Sequence, residues 1–362
     1  MQRREFLVAM PIAATAAVAS AGSEMLSAAP VPEETKPGTA SKTSLRFHRD
    51  GSFRILSISD LHYTDTPDTY ALALTEKLIQ TERPDLLIVN GDGLRGGLVD
   101  SADKMHLAAA HVAGVMEKFS VPWAVTLGNH DQDGEKWNHL TRVQIMQLFE
   151  AYPHNLNPGW NREINGVGNK NLLIWDADGS KPLFNLWLLD SGAELLDKSV
   201  HYDWIHTDQV NWYRQTSLQL EKTYGEKLAS IMFFHICIPE FHEMAVGSHL
   251  VGDRGEPESG SSVNGGLFAA VLERRDVKGI ICGHDHMNNY AGRYHGVILG
   301  YDGAAGFTKS YPYFASKDPK DPAQGHVRGG RVFVLNAENP GVFDTWMRFH
   351  DGSRSWESAY QL

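Results

Sequence analysis

Cysteine is nearly absent from this chain: Cys237 and Cys282 are the two among 362 residues. At most one disulfide can form between them, and because a buried cysteine usually behaves as a small hydrophobe, two free thiols are the favoured expectation. No cysteine closes the N-terminal apolar segment, which excludes a lipoprotein signal. Basic charge is in deficit as well. Lys and Arg number 33 against 44 Asp and Glu, and a formal charge of −11 argues against general affinity for nucleic acid or an anionic membrane. Any attraction for a phosphate must be local. Long apolar runs are missing too: the N-terminal stretch falls short of the ~20 strongly apolar residues that span a bilayer and contains Pro11. No membrane span is expected in the mature form.

What the N-terminus does hold is Arg3-Arg4-Glu5-Phe6-Leu7, then an Ala-rich run to Ala21 with small-residue sites such as Ala17-Val18-Ala19. Paired arginines before Phe-Leu resemble the twin-arginine export signal of bacteria. Residues 1–22 are therefore expected to be an export signal, and the protein periplasmic or extracellular. Residues 23–44, rich in Ala, Pro, Glu, Thr and Lys, read as a disordered linker. Residues 45–362 are expected to form a single domain, long enough to bury a substantial core at an apolar share of 42%.

Within it, apolar runs alternate with amphipathic stretches. Phe53 to Ser59, Asp85 to Asn90 and Val121 to Leu127 read as strands; Asp68 to Gln80, Asp100 to Phe119 and Glu135 to Tyr152 as helices. This order implies parallel pairing with right-handed crossovers. Beyond Pro153 come a hairpin-like pair, Leu172 to Trp175 and Phe184 to Leu189, a helix over Thr207 to Tyr224, and a strand over Leu228 to Ile236. Gly247 to Gly266 reads as a mobile loop. A short helix over Leu267 to Arg274 and strands at Lys278 to Cys282, Val297 to Tyr301, Arg331 to Leu335 and Phe343 to Phe349 complete the pattern. Two sheets packed face to face, with helices outside, account for it.

Five short polar motifs stand where apolar runs break: Asp60-Leu61-His62, Gly91-Asp92, Gly128-Asn129-His130-Asp131, His235, and Gly283-His284-Asp285-His286. α/β sheets place their sites at such strand ends. Asp60 and His62 can turn to one side past their strand and serve a first cation. Asp92, on the neighbouring strand, can bridge two cations about 3.5–4 Å apart, as two-metal hydrolases require. Asn129 offers a neutral oxygen, and His235, His284 and His286 add imidazoles. Each alone has a duller reading: a loop or helix cap for the Asp and Asn side chains, a satisfied polar residue for each histidine. Their shared placement favours one dinuclear centre, and oxygen and nitrogen donors without thiolate point to Mn, Fe or Zn.

The same series resembles the calcineurin-like metallophosphoesterase family, over about Leu45 to Phe349. Leu189-Asp190-Ser191-Gly192, Trp204-Ile205, Phe233-Phe234-His235-Ile236 with Pro239-Glu240, and Asn288 after the last motif resemble the branch with the Dcr2 phosphatase and small purple-acid-phosphatase-like proteins. The resemblance implies a four-layer α/β/β/α sandwich of two mixed sheets flanked by helices. It implies that Asp60, His62, Asp92 and His286 hold one metal and Asp92, Asn129, His235 and His284 the other. Purple acid phosphatases with a tyrosinate-bound ferric ion carry Tyr three residues after the bridging Asp; this chain has Arg95 there, so no purple colour is expected.

The expected function is an exported phosphoesterase acting on small phosphate monoesters or diesters, in which a hydroxide held between two cations attacks phosphorus in line. His130 is the candidate to protonate the leaving oxygen, with Asp131 or Asp60 orienting it. Arg95 is a candidate clamp for a phosphate oxygen, and Asn288 and His242 candidate borders of the substrate pocket. A nucleotide or pyrophosphate hydrolase, a phosphoprotein phosphatase, and a non-catalytic metal-stabilised binding protein stay open as alternatives.

Overall fold

The computed structural model describes residues 44–197, 199–307 and 328–360. The export-like segment at 1–22 and residues 23–43 of the expected linker lie outside the described residues.

The first half follows the expected alternation: β1 (Ser52–Ile58), α1 (Thr69–Glu82), β2 (Leu86–Asn90), α2 (Ala102–Lys118) and β3 (Trp123–Thr126). Asp68 caps α1 by accepting from the amides of Tyr70 and Ala71 at 3.1 and 3.0 Å, which satisfies amides a helix start otherwise leaves unpaired. Ser101 caps α2 in the same way. The single helix expected over Glu135 to Tyr152 is instead two, α3 (Glu135–Asn138) and α4 (Arg142–Glu150). His139 adopts the left-handed conformation, the Asn138 side chain accepts from Leu140 N at 3.0 Å, and Thr141 opens α4 with a capping box to Gln144. A new cap outcompetes a continuous helix at this point.

The remaining elements are β4 (Lys170–Trp175), β5 (Pro182–Leu188), α5 (Thr207–Tyr224), β6 (Ala229–Phe233), α6 (Glu240–Gly247), β7 (Leu250–Val251), α7 (Leu267–Arg274), β8 (Val277–Cys282), β9 (Ala291–Tyr294), β10 (Val297–Tyr301), β11 (Gly329–Asn336), β12 (Phe343–Phe349) and β13 (Arg354–Tyr360). The strands form a six-stranded sheet ordered β13-β12-β11-β1-β2-β3 and a seven-stranded sheet ordered β4-β5-β6-β8-β10-β9-β7. Both are mixed. β1, β2 and β3 are parallel, as are β5, β6, β8 and β10, while the outer strands run antiparallel.

Between the sheets lies a core that includes Ile55, Ile88, Leu186, Ile231, Phe233, Ile281 and Phe333. β2 is buried along its whole length, as expected of a parallel strand covered on both faces. On the outer face of the first sheet, Leu74, Leu78, Met105, Val112 and Ile145 of α1, α2 and α4 build a second core. On that of the other sheet, Val210, Tyr213, Phe241, Leu267 and Val271 of α5, α6 and α7 build a third. The four layers are thus α/β/β/α. Among the described residues, no helix is long and apolar enough to cross a membrane.

The stretch expected to be a mobile loop, Gly247 to Gly266, is strapped down. β7 pairs with β9, and the amides of Asp253, Glu256 and Ser259 donate to the side chains of Asn289, Asn288 and Asp285. This ties the segment to residues 285–289, within and just after the His284 and His286 pair. Cys237 and Cys282 are buried free thiols.

Candidate metal centre

Parallel strands of both sheets deliver their C-terminal ends to one edge of the molecule. The loop after β1 carries Asp60 and His62, that after β2 Asp92, that after β3 Asn129, that after β6 His235, and that after β8 His284 and His286. The loops turn sharply there. Asp60, His62, Asp92 and His284 all have positive φ, at 56°, 50°, 49° and 75°, a region that residues with a Cβ seldom occupy and that clusters at functional sites. The glycines that precede Asp92 and Asn129 are steric necessities. A Cβ on Gly91 would overlap the His235 ring, and one on Gly128 would overlap the Asp92 carboxylate.

Six of the seven residues singled out in the sequence as ligands fall into two groups, and the seventh, Asn129, is buried next to Gly128 in the loop after β3. Donor atoms of Asp60, His62 and His286 lie within 4.8 Å of one another, as do those of Asp92, His235 and His284, and all six residues are buried. The groups interpenetrate through the two carboxylates. Asp60 Oδ1 is 3.1 Å from His286 Nε2 and 3.8 Å from both His62 Nε2 and His235 Nε2. Asp92 Oδ2 is 3.2 Å from His235 Nε2 and 3.8 Å from His62 Nε2. Each carboxylate has its other oxygen anchored by the backbone of a second loop: His284 N donates to Asp60 Oδ2 at 3.1 Å, and His130 N to Asp92 Oδ1 at 2.8 Å.

This arrangement fits metal ions. Asp60 Oδ1, Asp92 Oδ2, Asn129 Oδ1 and His235 Nε2 are buried without a hydrogen-bond partner, which no protein leaves uncompensated at so many neighbouring atoms without a reason. The Nε2 atoms of His62 and His286 face each other at 3.0 Å. His235 donates from Nδ1 to Asn90 O at 2.9 Å, which leaves Nε2 as the lone pair aimed inward, the usual device for fixing a ligand tautomer.

The electrostatics say the same. Burial would raise the Asp60 carboxyl, but His286 and His235 hold it well below the usual carboxylate range. Asp92 is likewise held low, against its burial, by His235 and His130. His235 is the converse: burial opposes its charge, yet Asp92 and Asp60 push it up to about 10. Burial and then the neighbouring His235 push His284 down to about 3. The carboxylates demand positive charge at this point, and a proton or a cation supplies it.

His130 stands at the rim, its side chain 32% exposed, with its ring centroid 5.2 Å from that of His62. Its orienting partner is Asp133, not Asp131 or Asp60: Nδ1 donates to Asp133 Oδ2 at 2.6 Å. Burial lowers its proton affinity, but the Asp133 hydrogen bond and the charge of Asp92 raise it further, while Arg95 is near enough to oppose them. Asp131 has a different task. Fully buried, it accepts from the amides of Asp92, Leu94 and Gly128 at 3.1, 2.8 and 2.7 Å and so clips the loop after β2 to the loop after β3.

Arg95 is half-buried beside this loop, and its amide donates to Tyr63 O. Asn288 is fully buried and its Oδ1 accepts from Glu256 N at 3.1 Å, so what it holds is the strap over residues 253–259. His242 pairs with Glu258 at 3.1 Å and is exposed. Three residues escaped the sequence reading. Tyr202 packs its ring edge-on against His284 at 4.7 Å, Arg142 reaches the backbone before Asn129, and Asp133 holds His130. Only Asp133 left a signal, its spacing of three from His130.

Comparison with known proteins agrees with this geometry. The model of the calcineurin-like phosphoesterase family matches residues 53–288. Among relatives, a probable inactive purple acid phosphatase 14 of Arabidopsis thaliana is 33% identical over 300 residues, 74% of this chain and 73% of that protein. Phosphatase DCR2 of Saccharomyces cerevisiae is 28% identical over 288 residues, 71% of this chain and 48% of that protein. Among solved structures, a dimetal phosphatase from Danio rerio superposes with a TM-score of 0.51 at 12% identity, over 85% of this chain and 98% of that one, a likeness of fold. The chain belongs to the calcineurin-like phosphoesterase family.

Proposed function

We propose that this protein is an exported dinuclear-metal phosphoesterase that hydrolyses small phosphate monoesters or diesters. The observation that carries the reading is the interpenetration of two histidine–carboxylate triads through Asp60 and Asp92, with a proton-bearing imidazole at the rim. Asp60, His62, Asp92 and His286 would hold one cation and Asp92, Asn129, His235 and His284 the other. Such a pair supplies neutralising charge for the phosphoryl oxygens and acidifies water at neutral pH.

The chain's own groups do the rest. Asp133 fixes the His130 ring so that its free edge faces the rim, where a leaving oxygen needs a proton. Arg95, whose charge acts on His130, would pair with a phosphate oxygen that the cations do not take. The twin-arginine-like N-terminus supports export in a folded, metal-loaded form.

Protein loaded with Mn²⁺ or Zn²⁺ and assayed on nitrophenyl phosphate and bis-nitrophenyl phosphate tests the reading. Turnover of either ester supports it, and their ratio distinguishes monoesterase from diesterase; release of phosphate from nucleotides or pyrophosphate in preference to both would select the hydrolase alternative. A relative named as probably inactive, at 33% identity, favours a second reading, a metal-stabilised binding protein. That reading requires two bound cations and no turnover at high enzyme concentration, and it leaves the Asp133–His130 pair without a task.

A further inference from the structure

The segment Leu189-Asp190-Ser191-Gly192 contributes no donor to the centre, yet its side chains are buried and fully engaged. Asp190 forms a forked ion pair with Arg142, the first residue of α4: Nε donates to Oδ2 at 2.9 Å and Nη2 to Oδ1 at 2.5 Å. The same guanidinium donates to Gly128 O at 2.8 Å and Leu127 O at 2.9 Å, the carbonyls just before Asn129. On the other side, Ser191 Oγ accepts from Ile236 N at 2.8 Å, the amide just after His235. A continuous polar chain thus runs from the loop that carries Asn129 to the loop that carries His235.

We infer that Arg142, Asp190 and Ser191 form a strut that positions the second cation site by holding the Asn129 and His235 loops at a set separation; this rests on the two-metal reading above. A buried ion pair is a poor source of stability, because desolvation of both charges offsets their attraction. Its value lies in geometry: a planar fork that meets a carboxylate and two carbonyls of different segments tolerates little displacement of any of them. Only about 1% of the Asp190 side chain and 11% of that of Arg142 is exposed, so no solvent competes for these bonds. By contrast, these hydrogen bonds end on the loops of Asn129 and His235 and not on Asp60, His62 or His286. The strut is therefore a positioning device for one of the two cations.

The test is a titration of the metal-free full-length protein with Co²⁺, followed by visible absorption and by calorimetry, with thermal unfolding of each metal-free variant as the check on folding. Wild type should take two equivalents. Arg142→Lys, which keeps the charge and loses the fork, and Asp190→Asn should each weaken one site by about tenfold or more, the size usual for loss of a partner behind a ligand, with the other site unchanged. Their spectra should match that of Asn129→Ala and differ from that of Asp60→Asn. Ser191→Ala, which removes a single hydrogen bond, should shift the same site by less and covers the case in which Asp190→Asn does not fold. Equal weakening of both sites in a folded variant, or no change in Ser191→Ala and Arg142→Lys, overturns the strut alone; a wild type that binds fewer than two equivalents overturns the two-metal reading beneath it.

Discussion

Asp60, His62 and His286 crowd together as closely as Asp92, His235 and His284 do, yet what stands behind the two groups differs. In the second group, His235 is locked by its bond to Asn90 O, the loop after it by Ser191, and the loop of Asn129 by Arg142 and Asp131. In the first, the Nε2 atoms of His62 and His286 face each other at 3.0 Å and His62 Nδ1 is buried without a partner. The second group is built in advance by a polar scaffold. The first brings two imidazole nitrogens edge to edge, where one shared proton or a cation can join them. One centre can thus combine a preformed half with a half completed by its ligand.

Asp92 is where the halves meet, so its loss should be the most damaging. Asp92→Asn is expected to reduce turnover by at least about 10³-fold, roughly 4 kcal/mol of transition-state stabilisation, and to lower the metal content of purified protein; elemental analysis showing two full equivalents in this variant would break the comparison. His130→Ala touches neither half. A loss of about 10² to 10⁴ in kcat with both equivalents of metal retained is expected, and equal metal loss in His130→Ala and Asp92→Asn would make His130 a ligand instead of the acid.

Asp133→Asn should do less, about tenfold in kcat, the low end for a group that only orients a general acid, with metal binding unchanged. Its check is a steady-state comparison with His130→Ala: the double variant should be no worse than His130→Ala alone. The smallest effect is on stability. Chelation should lower the midpoint of thermal unfolding, because at 100 times Kd a ligand contributes about 2.7 kcal/mol, or roughly 5 °C for a chain of this size. Hydrogen exchange during chelation should rise more at the amides around His62 and His286 than around His235; the opposite order would reverse the assignment of preformed and ligand-completed halves.

Much of this was legible before any coordinates. Strands end where apolar runs break, so Asp60, Asp92, Asn129, His235 and His284 announced themselves, and α5, α7, β10 and β12 have the bounds their patterns suggest. Elements that depend on a partner were not legible. β9 and β13 are short or polar and exist because a neighbouring strand pairs with them. α6 lies in a segment with no clear period and forms because Phe241 and Met244 find a buried face. The orienting role expected of Asp131 or Asp60 falls to Asp133, since Asp131 and Asp133 both lie close to His130 in sequence and only the turn after Asn129 decides that one carboxylate points into the loops and the other to the imidazole.

By itself the sequence determined the chemistry on offer: which donor types exist, that none is a thiolate, that each follows a strand, and that glycine precedes three of them. Tertiary structure decided which donors share a point, which oxygen of each carboxylate faces it, and which side chains hold the rest in place. The physical reason is range. Strand ends and turn residues follow from local sterics and period, whereas the bond from Arg142 to Asp190 joins residues 48 positions apart and exists only once two sheets have packed.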